Sequence, residues 1–423
     1  MIALIFGLFL VLLFSGIAIY LALGVSAIIA WHEEGIPLVA FSQFFADHLN
    51  TPTFVAVPMF VIAATFMERG RISQVLVDFA LSIFGSLRGA LAYVCIAATA
   101  LFAAISGSSV ATALAMGKSL IPQMRARGYP DSFTTGTLGA AATLGILIPP
   151  SLPMIIYALV VEESVPRLFL AGVVPGLIQV ALFLMYVWWR GRTFPSEGAF
   201  DPAAVRRASA RAVPGLTMPL VVFGGIYSGL LTVNEAASAA AAMAIVISWL
   251  FYRAVSTSEI PFLLSDSFRE TAKIMVIILA ALGLAHWLIG QGVARALADY
   301  LNNSGLSAVQ ILLISNVIML FLGMFLEVIS VILIFVPLIV LTLETVGIDN
   351  VHFGIVVIIN MELALLTPPI GLNLFVLAGI SGVPVKDVMR GCIPYVIMMA
   401  GLLILVTLVP EISLFLPNLV YGD

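Results

Sequence analysis

The sequence predicts an all-α polytopic membrane protein made of two inverted-topology repeats, each with a re-entrant hairpin and a discontinuous helix, which is the layout of a secondary transporter. Three observations carry this expectation. Of the 423 residues 62% are hydrophobic and 9% charged, with a mean hydropathy of +1.18, whereas a soluble domain carries about 25% charged residues. Apolar stretches of about 20 residues, the length that crosses a bilayer as a helix, recur from Met1 to Pro410 with short polar breaks between them. Two Pro-Pro pairs, in "LGILIPPSLPM" and "LLTPPIGLNL", interrupt such stretches 219 residues apart, with Pro149 and Pro150 matching Pro368 and Pro369.

Nine spans are read, at 2–30, 53–68, 132–161, 167–190, 214–231, 234–253, 271–290, 351–380 and 386–409. The first lacks a basic n-region and a small-residue cleavage site, so it is expected to be retained. Two further apolar stretches are broken by small or polar residues, 89–124 at "SGSS" and 307–343 around "GMFLEV". If each is a hairpin that enters and leaves on one face, every Lys and Arg except Arg167 and Arg295 falls on the same side, which the positive-inside rule makes cytoplasmic. Two full spans in place of either hairpin would leave the sorting unchanged, so the charges orient the chain and exclude an odd extra crossing without establishing re-entrance. The N-terminus is expected in the cytoplasm and the C-terminus on the far side. The amphipathic stretches 71–88 and 291–301 precede the hairpins and read either as interfacial helices or as connectors packed on the bundle.

The expected domain order is a first repeat over 1–190, with hairpin 89–124 and broken helix 132–161. A cytoplasmic linker over 191–213, containing "RTFPSEGAFDP", and an extra span over 214–233 follow. The second repeat covers 234–423, with hairpin 307–343 and broken helix 351–380. The repeat register extends beyond the prolines, since Gly172 pairs with Gly391 and Pro175 with Pro394 at the same separation. Five spans separate corresponding points, and an odd number inverts the second copy.

The remaining composition excludes other classes. A formal charge of −4 with scattered basic residues gives no argument for nucleic acid. Cys95 and Cys392 are too few for a disulfide framework and wrongly spaced for a metal site, and His32, His48, His286 and His352 show no metal spacing.

Proline costs a helix interior about 3 kcal/mol, but at the first turn of a new half-helix its missing N–H has no intrahelical partner anyway. Each Pro-Pro pair therefore reads as the meeting of two half-helices, whose free carbonyls suit a cation and whose free N–H groups suit an anion. Unpaired backbone at membrane depth is tolerated only around a cavity or bound ion. A single proline kink is the plain alternative, and paired breaks in both halves argue against it.

Ser106, Gly107, Ser108 and Ser109 form a small polar hairpin tip able to offer hydroxyl and backbone oxygens; small-residue packing is the competing reading, and it suits Thr112 and Gly117 better. The second hairpin offers Gly323, Glu327 and Ser330. Glu327 is an ionisable group at membrane depth and so a functional candidate; coordination of a cation, carriage of a proton and capping of the hairpin all remain open. Thr367 and Asn373 flank the second break, and Met154 stands where Asn373 stands in the other half. Glu362, Asn316 and Asn360 read as packing or interhelical hydrogen-bonding residues, and Lys118 as a side chain snorkelling to the cytoplasm.

With "SGSSVATALAMGKSLIPQM", "LGILIPPSLPMIIYALV", "LFLAGVVPGL" and "TPPIGLNLFV" in this order, the chain resembles the large membrane subunit (DctM-type permease) of the TRAP, or tripartite ATP-independent periplasmic, transporters over essentially its whole length. The resemblance implies a sodium-coupled, elevator-type importer of a small organic acid in a bacterial inner membrane. It implies a periplasmic substrate-binding protein and a small four-helix membrane subunit as partners, the latter expected as a separate chain. At least two sodium sites are implied, one where Ser106, Gly107 and Ser108 meet Gly145 and Pro149, the other where Gly323 and Ser330 meet Thr367, Pro368 and Asn373. The substrate, a carboxylate such as a C4-dicarboxylate or sugar acid, would lie between them, near Ser108, Ser109, Pro150, Ser151, Glu327 and Asn373. A stand-alone sodium/carboxylate symporter is the nearest rival. An intramembrane enzyme using Glu327 and the serine cluster lacks an accompanying His, Lys or Asp in any recognisable arrangement, so no catalytic residue is assigned.

Overall fold

The computed structural model describes residues 1–50, 52–194, 196 and 198–422, which form helices and turns with no strand among them. Thr51, Asp423 and, within the polar linker, Pro195 and Glu197 lie outside the described residues. The chain opens with α1 (Ile2–Phe14), α2 (Ile19–Glu33), α3 (Leu38–Leu49), α4 (Ala56–Arg69) and α5 (Ile72–Phe84). The hairpin α6 (Ala90–Ser106) and α7 (Ser109–Ala126) precedes the broken helix α8 (Asp131–Leu147) and α9 (Leu152–Val161), then α10 (Val165–Gly191). Next come α11 (Pro202–Tyr227), α12 (Val233–Val246) extended by a π turn at Ile247–Phe251, α13 (Ile260–Gly290) and α14 (Val293–Asn303). A second hairpin, α15 (Ala308–Gly323) and α16 (Val328–Thr345), precedes a second broken helix, α17 (Asn350–Leu365) and α18 (Leu372–Ser381), and the chain closes with α19 (Val385–Leu408) and α20 (Glu411–Tyr421).

Seven helical segments are long and apolar enough to cross a membrane, α8 and α9 counted as one. Two expected spans, 2–30 and 351–380, fall among the shorter apolar helices because turns divide them. The stretch expected as one span at 2–30 is two helices. Gly16 turns the backbone with φ +81 and Ser15 Oγ donates to Leu12 O at 2.7 Å, stopping a helix that the unbroken apolar pattern conceals. The helix of the extra span starts inside 191–213, where Asp201 accepts from Ala203 N at 2.9 Å and Pro202 takes the first helical position. The helices α3 and α20 were outside the expected spans.

One layer of packing joins α2, α4, α12 and α13. The other gathers the hairpins and broken helices, and there α9 lies on α16 while α18 lies on α7. The second half of each broken helix thus rests on the second arm of the other hairpin. At the centre α8 meets α17, and Phe133–Leu147 and Val351–Leu365 are buried throughout. Buried side-chain hydrogen bonds add to the packing, as expected for Asn316 and Asn360. Asn360 Nδ2 donates to Asn316 O at 2.8 Å, and Asn316 Nδ2 donates to Thr407 Oγ1 at 3.0 Å. Lys118, expected to snorkel to the cytoplasm, pairs with Glu68 of α4 at 2.8 Å.

Candidate functional site

The first hairpin turns at Gly107, which takes φ +62 as a left-handed cap on α6. Ser108 then caps α7, its Oγ accepting from Ala111 N at 3.4 Å. This tip is inserted into the first break. Gly107 O accepts from Leu152 N at 3.2 Å, a Cβ on Gly107 would lie 2.8 Å from Pro150 O, and one on Gly145 would lie 2.7 Å from Ser108 O. Ser106 and Thr112 share a hydroxyl hydrogen bond of 2.6 Å, so Thr112 belongs to the tip and not merely to helix packing. Pro149, Pro150 and Ser151 are buried. Ser151 Oγ donates to Ile146 O at 2.6 Å and accepts from Met154 N at 3.4 Å, stitching the two half-helices together.

The second tip meets the second break by the same backbone device, Met324 O accepting from Ile370 N at 3.2 Å. A Cβ on Gly323 would lie 2.6 Å from the Ala364 side chain. Thr367 Oγ1 donates to Leu363 O at 2.6 Å. Pro368, Pro369 and Ile370 are exposed, and both Pro-Pro bonds are cis. Asn373 does not close on its own break. Its Nδ2 donates to Ser109 Oγ at 2.6 Å, which links the second broken helix to the first hairpin.

Between the tips lies a cavity of about 90 Å³ lined by Ser108, Ser109 and Val110, by Leu152 and Pro153, by Val328 and Ile329, and by Leu372, with Gly107, Glu327, Ile146, Leu365 and Ile274 completing the wall. Those first four groups are the N-terminal ends of α7, α9, α16 and α18. Four helix starts, each the positive end of a helix dipole, therefore face one space whose lining carries no Lys, Arg or His; at α7, α16 and α18 first-turn N–H groups are left over, whereas at α9 those of Leu152 and Met154 are taken by Gly107 O and Ser151 Oγ. The sequence showed each of these starts singly. Their convergence, with Ile274 of α13 opposite, had no sequence signal.

Among the described residues no group of three or more His, Cys, Asp and Glu could hold a metal; what the site offers is oxygen. Glu327 Oε2, Ser330 Oγ and Asn373 Oδ1 are buried without a hydrogen-bond partner among the described residues. Acceptors of this kind, with backbone carbonyls at helix ends, fit a hard cation. A second cleft of about 450 Å³ shares Ser108, Val110, Leu152 and Ile274 with the central cavity and runs to Glu68, Arg69, Asp266 and Glu270. A third, of about 760 Å³, lies between α13 and the opposite end of α9 and α16, by His48, Glu162, Glu163, His286 and Pro337.

The DctM component of the tripartite ATP-independent periplasmic transporters, as a family, matches residues 6–412 of this chain. The chain belongs to that family. A C4-dicarboxylate TRAP transporter large permease, DctM of Pseudomonas aeruginosa, is 39% identical over 368 residues, covering 86% of each chain. The sialic acid large permease SiaM of Vibrio cholerae is 32% identical over 100% of this chain and 99% of its own. The isethionate permease DctMQ of Oleidesulfovibrio alaskensis is 31% identical over 97% of this chain, which spans 65% of that protein. The YdaH transporter of Alcanivorax borkumensis shares the fold, with a TM-score of 0.65 at 14% identity over 90% of this chain and 89% of that one. This DctM-family chain is accordingly the large permease of a TRAP transporter, a multi-pass membrane protein and not an enzyme.

Proposed function

We propose that this permease carries out sodium-coupled secondary uptake of a small organic acid, a C4-dicarboxylate or a sugar acid, across a bacterial inner membrane. The observation that carries the reading is the convergence of four helix N-termini on a cavity without a basic side chain. Such a space favours a carboxylate through backbone N–H groups and dipoles. Relatives named for C4-dicarboxylates and for sialic acid agree with that class. Sodium would be held by the oxygens at each tip and break, with Ser106, Gly107, Ser108, Gly145 and Pro149 on one side and Gly323, Ser330, Thr367, Pro368 and Asn373 on the other. Its charge would balance the substrate and Glu327. The unpartnered oxygens of Ser330, Asn373 and Glu327 support this.

The hairpins and broken helices of the two inverted repeats act as one unit that moves against α2, α4, α12 and α13, in an elevator cycle. With Arg69 on the cytoplasmic side by the positive-inside rule, the cleft that joins the central cavity opens inward. Substrate arrives from a periplasmic binding protein, and a small four-helix membrane subunit completes the complex. Reconstitution in vesicles tests the proposal. Uptake should require an inward sodium gradient, the small subunit and the binding protein together. Uptake by the lone chain, indifferent to a binding protein, would overturn the tripartite part, and uptake indifferent to sodium would overturn the coupling.

A further inference from the structure

Outside the cavity between the tips, the centre of the molecule holds a second ionisable group. Glu362 of α17 has 0% exposure, and neither of its carboxyl oxygens closes a hydrogen bond with a described residue. The polar side chains that act on it are Gln179 of α10 and Thr143 of α8. Positions 143 and 362 are separated by the same 219 residues as Pro149 and Pro368. One position of the repeat therefore meets its own counterpart where the two broken helices touch.

The hydrogen inventory of this cluster does not balance if Glu362 is ionised. Thr143 Oγ1 donates its proton to Ala140 O at 2.8 Å and accepts from Gln179 Nε2 at 3.4 Å. It therefore presents lone pairs, not a donor, to the carboxyl group. Gln179 Oε1 is a further buried acceptor without a partner among the described residues. Gln179 Nε2 keeps one further N–H to offer, so a carboxylate would bring two acceptor oxygens, beside the unpartnered Gln179 Oε1, to a cluster with a single donor left. The helices packed on α17, which are α8, α9, α10, α15, α16, α18, α19 and α20, bring no charged side chain to bear on Glu362 among the described residues. An ionised acid in that position has a desolvation cost that nothing offsets. A single proton on the carboxyl group removes the charge and supplies the missing donor.

We propose that Glu362 is a proton-binding site, a neutral carboxylic acid hydrogen-bonded to Thr143 and Gln179 that joins the two broken helices at the centre of the membrane. The proton stays with the joint and is not part of the transported charge. Infrared spectroscopy of the full chain in lipid at neutral pH tests this directly. The wild-type protein should show the carbonyl stretch of a buried protonated carboxyl group that is missing from Glu362→Gln, and Thr143→Val should shift that band. Because an amide keeps the shape and hydrogen-bonding capacity of the neutral acid, Glu362→Gln in the assembled transporter should take up substrate within about twofold of wild type, with unchanged sodium activation. Absence of the band in the wild-type protein overturns the proposal, as does loss of sodium activation in a folded Glu362→Gln variant, which would mark a carboxylate holding a cation. If Glu362→Gln does not fold, the comparison of wild type with Thr143→Val decides, since a band that does not move removes the assigned contact.

Discussion

The two Pro-Pro breaks occupy the same place in the repeat and have different surroundings. At the first, Pro149, Pro150 and Ser151 are buried, Ser151 bonds to both half-helices, and α10 presses close enough that a Cβ on Gly172 would lie 2.7 Å from Leu147 O. At the second, Pro368, Pro369 and Ile370 are exposed, Gly371 takes a left-handed φ of +51, and Asn373, which stands where Met154 stands in the first half, reaches across to Ser109 of the first hairpin. The first break is a closed, self-capped joint. The second is open on one side and tied to the other half on the other. A repeated motif thus secures a repeated backbone interruption, and what that interruption does depends on which helices cover it.

The largest expected effect tests the fit of tips into breaks. In the first half glycines sit on both sides of the seat, Gly107 of the hairpin against Pro150 O and Gly145 of the broken helix against Ser108 O, and in the second Gly323 of the hairpin lies against Ala364. Gly145→Val and Gly323→Val should each push a tip out of its break, lowering stability by about 1–3 kcal/mol and abolishing uptake, read from thermal melting and vesicle transport. Retained uptake in either would show that the tip does not need its seat.

Asn373→Leu and Ser151→Ala sharpen the contrast between the breaks. The first should raise the sodium concentration for half-maximal uptake about tenfold, equivalent to about 1.4 kcal/mol. The second should leave sodium activation unchanged and cost about 1 kcal/mol of stability through the lost cap. Equal sodium effects would erase the distinction. Thr367→Ala and Ser108→Ala should weaken sodium activation by a smaller factor, about threefold or about 0.7 kcal/mol, and more than they reduce expression; sodium titrations with no shift in both would remove these residues from the sites. The smallest effect is expected at the ion pair of Lys118 with Glu68, whose side chains are 59% and 27% exposed. Lys118→Ala should change the melting free energy by less than about 1 kcal/mol, and a larger loss would show that the contact between α7 and α4 holds the hairpin in place.

Much of the architecture could be read from the chain itself. Both hairpins turn where "SGSS" and "GMFLEV" predicted, and both broken helices part at the Pro-Pro pairs, because a missing N–H or a small polar run interrupts a helix locally. The division of 2–30 into α1 and α2 was hidden because Gly16 lies within an almost unbroken apolar run. Among the candidate site residues, the resemblance implied that Ser106–Ser109 would meet Gly145–Pro150, whereas it gave neither the bond of Asn373 to Ser109 nor the place of Thr112. Those contacts join residues far apart in sequence or on opposite sides of a tip, and no periodicity records them.

The sequence by itself determined that this is a multi-pass helical membrane protein with two matched interruptions, since hydropathy, loop charge and proline chemistry act over one helix or less. Only the tertiary structure decided that four helix starts face one cavity, that one break is buried and the other exposed, and that Glu362 meets Thr143 at equivalent positions of the two halves. The reason is physical: a helix end carries its free N–H groups wherever it is placed, but whether they converge on a ligand, on water or on another helix is set by packing between segments some two hundred residues apart.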